Sequence, residues 1–301
     1  MDFKEIFKYT SSSWVRYDRY EYKKGADGEY YITPAMSAKL TIYDPLKVRE
    51  QLIIDTLNVG LLMMKREKKK IVQAAVLDLV TKYGLFGFMT ALPTTPEFIT
   101  YHNVYLHINH FIKEEIMETE DYLDIFFPFE KLKNFVKNGR ESRWDIENDI
   151  EAVALSMTMS STGGVPDAVE MVFQRQYAER YDWICKHLKD LAFSFLTPTF
   201  YYKDYDKLDE TTRHLYRKGM AAFGGISPTY RIILDERPVL VWNFYSLMSC
   251  IQMIFSYMIT DETHPIKPCK NCEKAFVPSR PNAVFCSRDC NYKYDYDKDK
   301  K

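Results

Sequence analysis

Four cysteines near the C-terminal end of the chain, Cys269, Cys272, Cys286 and Cys290, have the type and spacing to hold a metal ion. They form two close pairs, Cys-x2-Cys and Cys-x3-Cys, separated by 13 residues. Thiolates are soft donors, and four of them complete the tetrahedron that zinc prefers, leaving no open coordination position. Two tight pairs joined by a hairpin-sized loop close such a site at small entropic cost. The spacing predicts one structural Zn2+; the other reading of two close pairs is free or redox-active thiols.

The residues between the pairs predict a small folded module. Phe276 and Val277, then Val284 and Phe285, flank Pro278-Ser279-Arg280-Pro281-Asn282, which reads as a short hairpin around a turn. So small an apolar face does not fold alone, and bound zinc supplies on the order of 10 kcal/mol in modules of this size. Ser287 is placed to cap a helix carrying Cys290, at the helix end that favours thiolates. Pro268 stiffens the approach to the first pair.

From Pro268-Cys269-Lys270-Asn271-Cys272 through Phe276, Pro278-Ser279-Arg280 and Phe285-Cys286-Ser287 to Cys290, this stretch resembles the treble-clef zinc knuckle that ends many bacterial proteins. Among these are regulators carrying a CGNR-type zinc finger behind a helical ABATE-type domain. The resemblance covers about residues 265–295 and implies a four-cysteine zinc site and a DNA-binding role in transcription. After Cys290 the family continues Gly-Asn-Arg into a basic helix, whereas this chain continues Asn291-Tyr292-Lys293-Tyr294-Asp295. The finger has no histidine, which separates it from treble-clef nucleases.

Two functional readings follow. In the first, the zinc module contacts nucleic acid through Lys274, Arg280, Arg288 and Lys293, with Tyr292 and Tyr294 available to stack on bases. Residues 265–301 carry nine Lys or Arg against five Asp or Glu, and four thiolates on one Zn2+ remove two further positive charges, leaving a weak footprint. In the second, the zinc is purely structural, and the protein binds a protein partner or small ligand or forms a homo-oligomer.

Catalysis is not expected. His102, His107 and His110 lie close together, but the last step of three equally suits one helix face, and no carboxylate or cysteine pattern completes a site. His264 lies five residues before Cys269, where four sulfurs already close the tetrahedron. The aromatic run Phe200-Tyr201-Tyr202 with Tyr205 reads as half-buried packing, and Lys68-Lys69-Lys70 as a solvated helix end.

The whole chain has 301 residues, 46% of them hydrophobic, which is enough for one large core plus an appendage and excludes wholesale disorder. Its formal net charge of −1 excludes a global field toward nucleic acid or anionic membrane. The start, Met1-Asp2-Phe3-Lys4-Glu5, carries charge where a signal peptide needs an apolar run. Together with clustered cysteines this points to the reducing cytoplasm. From Pro238 to Thr260 runs an uncharged stretch of 23 residues. Its recurrent polar positions at Asn243, Ser246, Ser249, Gln252 and Ser256 predict a core helix rather than a membrane span.

The elements expected to position the site are mainly α, with minor β (α+β). Residues 14–42 predict a small antiparallel element around a turn at Lys24–Gly28. Asp44-Pro45 predicts the start of a helix reaching about Glu67, and a second helix ends at Gly84. Further helices are expected over 104–138, 167–196 and 239–260, with a strand at Tyr230–Leu234 and a linker at Gly163-Gly164. The expected division is a helical domain over 1–263 and a treble-clef-like zinc module with a polar tail over 264–301.

Overall fold

A computed structural model describes residues 10–89, 102–106, 111–129, 177–221, 223, 229–234, 236–244, 246–262 and 264–298. After β1 (Thr10–Ser11), the chain forms a bent double hairpin. β2 (Trp14–Tyr17) pairs antiparallel with β5 (Leu40–Tyr43), and β3 (Tyr20–Lys24) with β4 (Tyr30–Pro34). The expected turn is present: Gly25 N donates to Glu29 O, and Gly28 takes the positive φ of 86° that glycine tolerates.

Asp44 caps the next element as its sequence suggests. Its Oδ1 accepts from Leu46 N at 2.9 Å, Pro45 opens a 3-10 turn, and α1 (Arg49–Met64) follows. The lysine run opens the next helix, α2 (Lys69–Tyr83), instead of closing the first; Lys68, Lys69 and Lys70 are solvated there. Gly84 ends α2 with φ +91° but an extended ψ of 176°, so it is no αL cap. A Cβ there would strike the Val15 carbonyl oxygen and the Trp14 ring, so this glycine lets the chain pass tightly under β2.

Between 102 and 129 the expected helices are largely replaced. β6 (Asn103–Tyr105) and β7 (Ile116–Glu118) form a two-stranded antiparallel pair, and among the described residues of this stretch only α3 (Thr119–Phe126) is helical. The described part of the helix expected over 167–196 is α4 (Tyr181–Lys203), which starts only after Glu179 and Arg180, drawn into β8 (Glu179–Arg180) against Ile32 and Tyr31. α4 also passes through Pro198, at the expense of one i to i−4 bond. A short 3-10 turn leads to α5 (Glu210–Ala221). The Gly163-Gly164 linker, His107, His110 and residues 130–176 lie outside the described residues.

The strand near Tyr230 is β9 (Thr229–Leu234), paired antiparallel with β10 (Pro238–Asn243), which in turn pairs parallel with β1. The uncharged stretch therefore begins as a strand. Val239-Leu240-Val241-Trp242 is β-branched and aromatic, and the helix begins only where Ser246 caps α6 (Leu247–Ile259) by accepting from Ser249 N at 3.0 Å. No helix among the described residues is long and apolar enough to cross a membrane.

The core lies where α1, α4 and α6 meet, over the face of the hairpin that carries Trp14 and Tyr17. α1 and α4 approach at Gly60, where a Cβ would run into the Leu188 carbonyl oxygen and the Ala192 methyl. Among the described residues one carboxyl group is buried inside this core. The Glu179 carboxylate, 1% exposed, accepts from Phe86 N at 2.8 Å and Phe88 N at 3.0 Å, and also from Gly87 N and the Tyr177 hydroxyl. It thereby ties the loop after α2 to the strand before α4. Burial outweighs these four donors and raises its pKa to about 7.

Two outcomes follow. Gly60→Ala forces α1 and α4 apart and lowers unfolding free energy by about 1–3 kcal/mol in denaturant melts. Glu179 binds its proton more tightly folded than unfolded, so its contribution is full below pH 4.5 and is lost as pH rises through about 7. In Glu179→Gln that decline disappears when unfolding midpoints are compared from pH 5 to 8, while Glu179→Ala, which orphans buried N–H groups, costs about 3 kcal/mol or more.

Candidate metal centre

The first cysteine pair sits in a tight knuckle. β11 (Lys267–Pro268) and β12 (Ala275–Phe276) pair antiparallel, with Lys267 opposite Phe276 and Pro268 opposite Ala275. Within this hairpin, Cys269 N donates to Lys274 O and Glu273 N to Cys269 O, each at 2.9 Å. Glu273 takes a positive φ of 61° to close the turn. The hairpin is therefore built around the first pair, and not from Phe276-Val277 and Val284-Phe285 as the sequence suggested. Val284 contributes instead a carbonyl that accepts from Lys270 N at 3.0 Å, which brings the second pair alongside.

The second pair opens α7 (Arg288–Lys298). Ser287 Oγ accepts from Cys290 N at 3.1 Å, so the cap read from the sequence is present. What was expected as a polar tail is helical to Lys298, and residues 291–297 are all exposed. Tyr294 leans on Phe285, with ring centroids 5.3 Å apart.

These two segments gather the four sulfurs so that all lie within 4.8 Å of one another. Cys272 Sγ is 3.7 Å from Cys286 Sγ, which is 3.5 Å from Cys290 Sγ. A tetrahedral ion with metal–sulfur bonds of about 2.3 Å needs sulfur–sulfur edges of about 3.8 Å, close to what is found. Burial raises the Cys269 thiol, but N–H groups of Cys272, Cys286 and Asn271 more than offset this and pull it down to about 6. Burial and crowding by the three neighbouring sulfurs push Cys286 up to about 12. A sulfur cage of this kind sheds its remaining protons when a cation arrives to share the charge. The donor set and geometry fit a soft tetrahedral metal ion.

The module is seated on the helical core. Asn58 on α1 accepts from Ala275 N at 2.8 Å and donates to Ala275 O at 3.5 Å, satisfying both backbone groups of one residue. Lys65, one residue past the end of α1, donates to Cys272 O at 3.1 Å and pairs with Glu273 at 2.9 Å. Ile266 N donates to Met258 O at 3.2 Å, and the Ile266 and Ala275 side chains are buried in the same core as the helices. Nothing in the sequence around Asn58 marks it as a docking residue: a single asparagine between Leu57 and Val59 looks like any half-buried helix position.

Lys274, Arg280, Arg288 and Lys293 are all exposed, on the knuckle turn, the following loop and α7. Tyr292 and Tyr296 are 69% and 60% exposed. His264 is exposed, its N–H bonded to Asp261 Oδ1, and His102 is exposed at the end of β6. Among the described residues the four cysteines form the single cluster of metal-type ligands.

Elemental analysis of the purified protein is expected to find one metal ion per chain, held by these four sulfurs. Cys269→Ser and Cys290→Ser each reduce retained metal at least tenfold after dialysis, whereas Cys250→Ser, at a buried core position, leaves it unchanged. Compared with family models, curated proteins and solved structures, the chain matches none.

Proposed function

We propose that this chain is a cytoplasmic, zinc-stabilised binding protein in which a single structural Zn2+ closes a treble-clef-like C-terminal module and α7 forms the contact surface. The observation that carries this reading is the four-sulfur cluster itself, on a module docked against α1. Four thiolates fill the coordination sphere of zinc, so the ion organises the chain and has no position to offer a substrate. α7 supports the contact role. Arg288, Tyr292 and Tyr296 recur at steps of four and so share one stripe, and both tyrosines are open to solvent. Aromatic residues with an arginine are the side chains that anchor interfaces.

The partner favoured is a protein. α7 alternates Asp289, Asp295 and Asp297 with Arg288 and Lys293, which leaves little field to attract phosphates. A nucleic-acid partner is the second reading, supported by the exposure of Lys274, Arg280, Arg288 and Lys293 beside two exposed tyrosines.

The two are separated by salt. Binding to single-stranded or duplex nucleic acid that falls steeply between about 50 and 200 mM salt, and drops further in Arg280→Ala or Arg288→Ala, establishes the second reading. A co-purifying protein or a homo-oligomer on size exclusion, with no retained nucleic acid and with binding lost in Tyr292→Ala/Tyr296→Ala, establishes the first. A monomeric protein that takes up no zinc sinks both.

A further inference from the structure

The two halves of the metal module are attached to the rest of the molecule very unequally. The knuckle hairpin, residues 266–276, is held by the Asn58 pair to Ala275, by Lys65 on Cys272 O and Glu273, by Ile266 N on Met258 O, and by two side chains inside the core. None of these contacts uses a cysteine sulfur. Among the described residues the following limb, residues 281–298, is tied to that hairpin by Lys267 Nζ on Pro281 O, Lys270 N on Val284 O, Cys286 N on Cys269 Sγ and the Asn271 side chain on Cys290. The first of these is a contact open to solvent, and the last two have a cysteine sulfur as their acceptor. Residues 291–297 of α7 are exposed, so that helix buries no apolar face in the core of the described residues, and the contact between Tyr294 and Phe285 lies within the limb itself. A helix of 11 residues without a buried face is marginal in water.

We infer that metal occupancy is a latch for this limb alone: with zinc bound, Cys286 and Cys290 pin α7 to the docked knuckle, and on zinc loss the limb detaches while residues 266–276 stay seated on α1. The inference rests on the zinc reading above and adds a regulation to it. The contact surface carried by Arg288, Tyr292 and Tyr296 is presented in the loaded state and withdrawn in the empty one, so the protein's partner binding follows zinc supply. No bond is made or broken in the chain; Zn2+ leaves to a chelating ligand and the thiolates take up protons.

Amide hydrogen exchange on the full chain, with and without a zinc chelator and with zinc content measured on the same samples, tests it. Peptides covering 282–292 are expected to exchange about tenfold or more faster on chelation, and tryptic cleavage after Arg288 to accelerate in parallel, while peptides covering 266–276 and α1 keep their protection. Zinc restores the limb. Asn58→Ala is the converse: it keeps one zinc and a protected limb, but residues 266–276 exchange faster. Loss of protection in both segments together on chelation overturns the latch, because the module then leaves as one unit. An unchanged limb after the ion is gone overturns it too. A protein that binds no zinc at all overturns the zinc reading and the latch with it, and the zinc measurement identifies that case before any exchange is read.

Discussion

The fold hangs on the backbone-to-backbone approach of α1 and α4 at Gly60. A side chain of any size there would hold the helices apart, and the neighbours of the crossing depend on their spacing. Leu57 and Leu61 on one side and Leu188 and Ala192 on the other lose nearly all their solvent exposure around it. α1 then distributes its remaining faces. Asp55 takes Lys82 at 2.5 Å and the Tyr83 hydroxyl at 2.8 Å from α2, Asn58 takes the knuckle, and Lys65 takes the turn that carries Cys272. One helix thus sets the position of both its sequence neighbour and a module more than 200 residues away.

The second constraint is the buried carboxylate of Glu179. Three consecutive N–H groups pointing the same way need an acceptor, and water is excluded there, so the chain supplies its own. The loop from Phe86 to Phe88 is in turn bound on its other side, where Phe86 O accepts from Met248 N in the first turn of α6. A single buried carboxyl group therefore sets the relative position of α2, α4 and α6, which accounts for an acidic residue among the apolar side chains of the core.

Legibility in the sequence followed the range of the interactions. Signals that act over a few residues were readable: Asp44 before Pro45, the Lys24–Gly28 turn, Ser287 before Cys290, and the two cysteine pairs whose sulfurs meet. Elements whose identity depends on distant partners were misread. Glu179 and Arg180 fit the helical period, yet β4 and the 86–88 loop claim them. Val239–Trp242 looked like the first turns of an apolar helix, but pairing with β9 and β1 makes it a strand. Phe276-Val277 and Val284-Phe285 read as the two arms of a hairpin, whereas the turn that carries Cys269 and Cys272 pairs Phe276 with Lys267 instead. Asn58 had no local signature at all, because its role exists only once the C-terminal module is present.

That last contact bears on how the molecule is made. Asn58 and Ala275 are 217 residues apart, and β1 pairs in parallel with a strand near residue 240, so both ends of the structure are closed by late-arriving segments. At ordinary translation speeds the surface of α1 waits on the order of 10 to 40 seconds for its knuckle to emerge. Contacts of α1 and the double hairpin have a much shorter span, so the knuckle docks on a helix surface whose residues emerged long before it.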